Sequence, residues 1–178
     1  MDHNMIILIY MLLTLSFKLN RLRLFQIPIS IFLIIQFLLS NDVRLTLLNI
    51  IFMILGIVLS PLLLNTSMYL SSGFTLSGVI KNGISIFSLL LTGIFAFSEE
   101  LIWRTIFFNG INIKIPIIIC MILINSILFT VSHSNINDIT DLRERLIFSI
   151  FLGISYIFCP GLNYGLHIGR NIVIKYLE

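Results

Sequence analysis

The sequence predicts an all-α fold: a polytopic transmembrane bundle of six or seven helices, forming one integral membrane domain over residues 1–178. Three observations predict it. Apolar residues of the AVILMFWYC set make up 58% of the chain and charged residues only 11%, where an average soluble domain has roughly 25% charged; the mean hydropathy is +1.08. The apolar residues gather in runs of the length a bilayer demands, roughly 20 helical residues for a core about 30 Å thick. The few ionisable residues inside those runs recur at helical spacing. So few charges cannot coat a water-facing surface, which excludes a soluble globular domain, a disordered tail and a nucleic-acid-binding module. The net charge of +3 is too small and too scattered for a phosphate-binding surface.

The elements follow in order. Met5–Phe17 is the first apolar run, and it is short. Met1-Asp2-His3-Asn4 ahead of it has no basic segment, and no small-residue cleavage site follows, so a span is expected rather than a cleaved signal peptide. Lys18, Arg21 and Arg23 come next and hold their loop in the cytoplasm. Leu24–Leu39 (with Pro28) and Leu45–Leu64 (with Pro61) are the second and third spans, and Asn65–Asn82 reads as a polar connection. Gly83–Phe97, continuing to Phe108, is the fourth, and Ile115–Val131 the fifth. A turn is expected at Lys114–Pro116, because proline lacks the N–H that a helix interior needs. Ser132–Arg145 reads as a second polar connection, followed by Leu146–Phe158, a boundary at Pro160, and Leu162–Leu177. Seven spans put the N-terminus outside and Arg143, Arg145 and Lys175 inside, with Arg44 and Lys114 outside. Cys120 and Cys159 lie far apart in apolar runs and read as small packing residues. A single alanine, Ala96, amid abundant Ile, Leu, Phe and Asn suggests an A+T-rich, bacterial genome, hence a multi-pass protein of the cell membrane.

An ionisable group inside a membrane is expensive and needs a reason. Glu99 and Glu100 follow a long uncharged stretch, and Arg104 comes four residues after Glu100. Residues four apart share a helix face, so Glu100 and Arg104 can pair, while Glu99 points about 100° away and lacks an in-helix cation. His133 lies four residues after Phe129, and His167 four before Asn171. Glu99 and His133 sit on consecutive, antiparallel helices; a turn centred at Pro116 brings them to one depth. Structural readings exist for each element: an ion-pair anchor, an interfacial histidine, a hydrogen bond knitting two helices. Trp103, Tyr164 and Tyr176 read as interfacial or packing aromatics. Taken jointly, the polar elements read as chemistry. A glutamate with a histidine can activate water as general base and acid, and a second histidine with an asparagine can stabilise an oxyanion. There is no HExxH; a metal site built on Glu99, His133 and His167 stands as a lesser alternative.

Glu99-Glu100-Leu101-Ile102-Trp103-Arg104 resembles the EExxxR motif of the CAAX-protease and bacteriocin-processing (CPBP, or ABI) family. Phe129-Thr130-Val131-Ser132-His133 resembles its FxxxH motif and His167-Ile168-Gly169-Arg170-Asn171 its HxxxN motif, in the same order. The resemblance spans about Gly83 to Lys175, a CPBP-like catalytic core over residues 83–175. It implies an intramembrane helical bundle and a glutamate-dependent endopeptidase. Glu99 would activate water with the help of His133, His167 and Asn171 would form the oxyanion hole, and Glu100 and Arg104 would support the site, with Phe129 in the second motif. No metal or other cofactor, and no covalent acyl-enzyme, is implied.

The implied partners are a membrane-associated peptide or protein substrate and the lipid bilayer itself, with no nucleic acid. The lean first half of the chain is compatible with an oligomer that completes the substrate entrance. A bacteriocin self-immunity protein, acting by proteolysis or by binding alone, is the alternative. A transporter is disfavoured: the halves show no repeat and no interrupted helix pair.

Overall fold

The computed structural model describes residues 31–32, 34–35, 47–73, 85–108, 115–134 and 137–176. The expected span Met5–Phe17 and the charges Lys18, Arg21, Arg23, Arg44 and Lys114 lie outside the described residues. So does the expected span Leu24–Leu39, apart from residues 31–32 and 34–35, which are helical.

Among the described residues there are five helices and no strand. They are α1 (Leu47–Ser72), α2 (Ile86–Glu100), α3 (Ile115–His133), α4 (Ile139–Phe158) and α5 (Pro160–Tyr176). A π-helical segment, Leu101–Ile106, prolongs α2 without a break. The five fall on the last five of the seven apolar runs, of a bundle expected to hold six or seven helices. Leu47–Ser72, Ile86–Thr105 and Ile115–His133 are long and apolar enough to cross a membrane. Their outward faces carry Val58, Leu62, Phe87 and Ile119, all exposed, as a helical membrane bundle requires where the solvent is hydrocarbon.

Both polar connections shrink. The expected connection Asn65–Asn82 begins inside α1, because its hydroxyls turn back onto the helix. Thr66 Oγ1 donates to the Leu62 carbonyl (2.8 Å), Ser67 Oγ to Leu64 (2.9 Å) and Ser71 Oγ to Met68 (3.0 Å). Hydroxyls satisfied in this way are compatible with a buried helix. Gly73, at φ +75°, follows the last turn, in the left-handed conformation that glycine adopts freely. Likewise, much of Ser132–Arg145 is helix. Asp138 caps α4, its Oδ1 accepting from the backbone N–H of Thr140 (2.9 Å) and Asp141 (3.1 Å). Charges in a first helical turn had the look of a loop. Of the turn expected at Lys114–Pro116, Lys114 lies outside the described residues, while α3 begins at Ile115, so Pro116 sits in its first turn, where the missing N–H has no intrahelical partner to lose. Pro160 does open a helix.

α5 lies most extensively against α1. Gly161, Gly165 and Gly169 are one turn apart and let the backbones touch. A Cβ at Gly165 would sit 2.0 Å from the Met53 carbonyl oxygen, and one at Gly161 2.3 Å from that of Asn49. Small residues four apart are the usual means of close helix approach in membranes. Pro61, inside α1, removes the donor that the Ile57 carbonyl would use; Ser60 Oγ donates to that carbonyl instead, at 2.8 Å. The apolar core beside this seam is Phe148, Leu152 and Leu166, flanked by Leu63 and Leu162. Cys120 is exposed on α3 and Cys159 is half-buried after α4; both are free thiols.

Candidate active site

The polar residues converge where the end of α2, the last turn of α3 and the middle of α5 meet. Glu99 and His133 do lie at one level: His133 Nε2 is 3.6 Å from Glu99 Oε1. From α5, His167 Nε2 reaches Glu99 Oε2 at 3.4 Å. The Glu99 carboxylate thus lies between two imidazoles from two different helices. Its side chain is 15% exposed and that of His133 20%.

Glu100 faces inward and is fully buried, as is Arg104. Arg104 Nη1 donates to Glu100 Oε1 at 2.8 Å, the i,i+4 pair that the spacing predicts. His167 Nδ1 meets the same oxygen at 2.5 Å, and Asn163 Nδ2 donates to Glu100 Oε2. Arg104 Nη2 donates to Ser149 Oγ of α4 at 2.7 Å, and its guanidinium lies 4.5 Å from the centre of the Phe129 ring. A buried carboxylate with this many donors is a compensated charge.

The histidines are held by their surroundings. His133 Nδ1 lies 2.9 Å from the Phe129 carbonyl and 2.7 Å from Ser132 Oγ, contacts that hold the ring with Nε2 turned to Glu99. The Phe129 ring stacks on His133 at 4.1 Å and meets His167 edge-on at 5.7 Å. Trp103 is buried edge-on against Phe129 at 5.8 Å, so it is a packing residue of the site rather than an interfacial one; buried Tyr164 shares a 2.7 Å hydrogen bond with Thr105.

The π segment begins immediately after Glu100. A π turn spoils the regular pairing of backbone carbonyls, and such turns concentrate at functional sites. Here Asn125 Nδ2 of α3 donates to the Trp103 carbonyl, which ties the irregular segment to the neighbouring helix.

Of the residues singled out in the sequence, the structure brings Glu99, Glu100, Arg104, Phe129, His133 and His167 into one cluster. Asn171 lies one turn past His167 on α5, half-buried, its side chain making no hydrogen bond among the described residues. Three buried partners escaped the sequence reading: Asn163, Ser149 and Asn125. Asn163 had a signal, since it precedes His167 by four residues; Ser149 and Asn125 sit in apolar helices with nothing to mark them. A second polar cluster was also missed. Arg170 Nη2 donates to Glu144 Oε2 at 2.6 Å, and Ser67 Oγ donates to Oε1 at 2.9 Å. This cluster ties α5, α4 and α1 together, beside a cleft of about 420 Å³ lined by Met68, Asp141 and Arg145. Among the described residues, no group of three or more His, Cys, Asp and Glu side chains is arranged to hold a metal ion.

Residues 81–173 match the family described as Type II CAAX prenyl endopeptidase Rce1-like. The match takes in just over half of the chain and all three motifs, and the chain belongs to that family. No curated protein and no solved structure matches it.

Proposed function

We propose that this member of the Rce1-like family is an intramembrane endopeptidase. It hydrolyses a peptide bond of a membrane-associated peptide or protein through water activated by Glu99 and His133. One observation carries the reading: Glu99 is the partly exposed carboxylate, aimed at two histidines, beside a carboxylate that is sealed and fully partnered. The separations of 3.4–3.6 Å are those of a site that tightens when substrate is bound.

The chemistry follows from these positions. A water held between Glu99 and His133 Nε2 gives its proton to Glu99 as its oxygen attacks the scissile carbonyl. The carbonyl oxygen becomes an oxyanion, for which the family resemblance supplies His167 and Asn171 as donors. Glu99 then returns the proton to the leaving nitrogen. The C–N bond breaks, leaving a carboxylic acid on one fragment and an amine on the other; the acid's proton then passes to the amine, giving a carboxylate and an ammonium. Glu100 takes no proton; with Arg104 it fixes His167.

The test uses the full chain in proteoliposomes with an internally quenched peptide ending in a farnesylated CAAX sequence. Glu99→Ala and His133→Ala, inserted at wild-type level, should each lose about 10²- to 10⁴-fold in turnover, the range for a general base or acid. Normal turnover by either variant refutes the mechanism. The immunity alternative separates in cells: protection against a peptide bacteriocin that survives Glu99→Ala argues for binding without catalysis.

A further inference from the structure

α5 carries a second amide on the face that bears His167, one turn earlier. Asn163 is fully buried, and its Nδ2 donates to Glu100 Oε2; the amide must be the donor, because an ionised carboxylate only accepts. The other oxygen, Oε1, accepts from Arg104 Nη1 at 2.8 Å and meets His167 Nδ1 at 2.5 Å. The terminal torsion of a glutamate is soft, with a broad well. Donors on both oxygens remove that freedom: rotate the carboxylate, and Oε1 leaves His167.

Packing alone does not account for an amide here. Asn163 Oδ1 has no hydrogen-bond partner among the described residues, and a buried carbonyl left unpaired is destabilising. Leucine would fill a similar space without that penalty. What leucine cannot do is hold Glu100 Oε2.

We propose that Asn163 is a positioning residue: by holding Glu100 Oε2 it keeps Oε1 on His167 Nδ1, and so keeps His167 Nε2 aimed at Glu99. Its kinetic consequence rests on the peptidase reading above. The histidine then has one nitrogen committed to Glu100 and the other available at the reacting centre. The logic is that of a carboxylate that fixes the ring orientation of a catalytic imidazole, with an amide added to fix the carboxylate.

The experiment uses the full chain in lipid nanodiscs, labelled with ¹⁵N-histidine. The chain has three histidines, so His3→Gln and His133→Gln assign the spectrum. In wild type the His167 Nδ1 signal should be that of a single protonated, hydrogen-bonded nitrogen. In Asn163→Leu that signal should broaden and lose its hydrogen-bond shift. With the farnesylated quenched peptide, kcat should fall roughly 10- to 100-fold, as when an outer hydrogen-bond partner of a site histidine is removed, with KM changed less than about twofold. Asn163→Asp, nearly isosteric but acceptor-only when ionised, should do the same and carries the test if the leucine variant fails to insert. Variants that insert normally and keep the wild-type His167 signals overturn the proposal, as do shifted signals with unchanged kcat. If wild type cleaves no peptide, the peptidase reading fails separately, and the nitrogen spectra alone decide for or against Asn163.

Discussion

Replacing Arg104 by leucine isolates the buried charge that the site depends on. Arg104 and Glu100 are both 0% exposed, so the surviving carboxylate would keep only His167 and Asn163 as partners. The Ser149 hydroxyl would lose its 2.7 Å contact, and the Phe129 ring would lose the cation on its face. Breaking a buried ion pair from one side costs about 3–5 kcal/mol. For a chain of this size each kcal/mol moves the melting temperature by roughly 2–4 °C, so a fall of roughly 6–20 °C is expected. The single tryptophan is Trp103, packed edge-on against Phe129, and its fluorescence reports melting of this part of the bundle in detergent. The double variant Glu100→Gln with Arg104→Leu should recover most of the loss, because no unpaired charge is then buried. A single variant melting within about 2 °C of wild type, less than roughly 1 kcal/mol, refutes the reasoning. So does a double variant no more stable than the single one.

Three further substitutions test the frame and the oxyanion site. Gly165→Leu should prevent assembly of the bundle, since its Cβ would lie 2.0 Å from the Met53 carbonyl oxygen and overpacking costs about 1–3 kcal/mol or more. Gly93→Ala, where a Cβ meets nothing within 4 Å, should be neutral or stabilising by up to about 1 kcal/mol, and limited proteolysis of membranes distinguishes the two. Asn171→Ala should cost about 10²- to 10³-fold in kcat if the amide donates to the oxyanion, with the melting temperature unchanged, since the Asn171 side chain makes no hydrogen bond among the described residues.

Much of this arrangement is legible in the sequence because a bilayer makes polarity conspicuous. The five described helices follow from apolar run length. The Glu100–Arg104 pair follows from a spacing of four, and the meeting of Glu99 with His133 from an antiparallel hairpin. Helix ends were less legible: Thr66, Ser67, Asp138 and Glu144 are polar for reasons of back-bonding, capping and interhelical pairing, yet polarity at the end of an apolar run looks like a loop. The partners of the site were the least legible. Ser149 and Asn125 are single polar residues in apolar helices, and only the third dimension aligns them with Arg104 and the Trp103 carbonyl. The glycines of α5 carried a readable period of four, but their meaning depends on α1 lying against them, which a one-dimensional pattern cannot state.

The π segment Leu101–Ile106 also sets the phase of its helix. Each residue of an α-helix advances the side chains by about 100°, and a π turn takes up one residue more than an α turn would. Side chains beyond it therefore emerge on a different bearing from those before it. Glu100, before the segment, must face α5 and its His167. Phe108, beyond it, stacks on Tyr156 of α4 at 5.6 Å. Were the same residues wound as regular α-helix, with none absorbed, one anchor would swing away by about 100°. The spacing between Glu100 and Phe108 is thus matched to the π turn: it is the irregular backbone that lets one continuous helix serve both anchors.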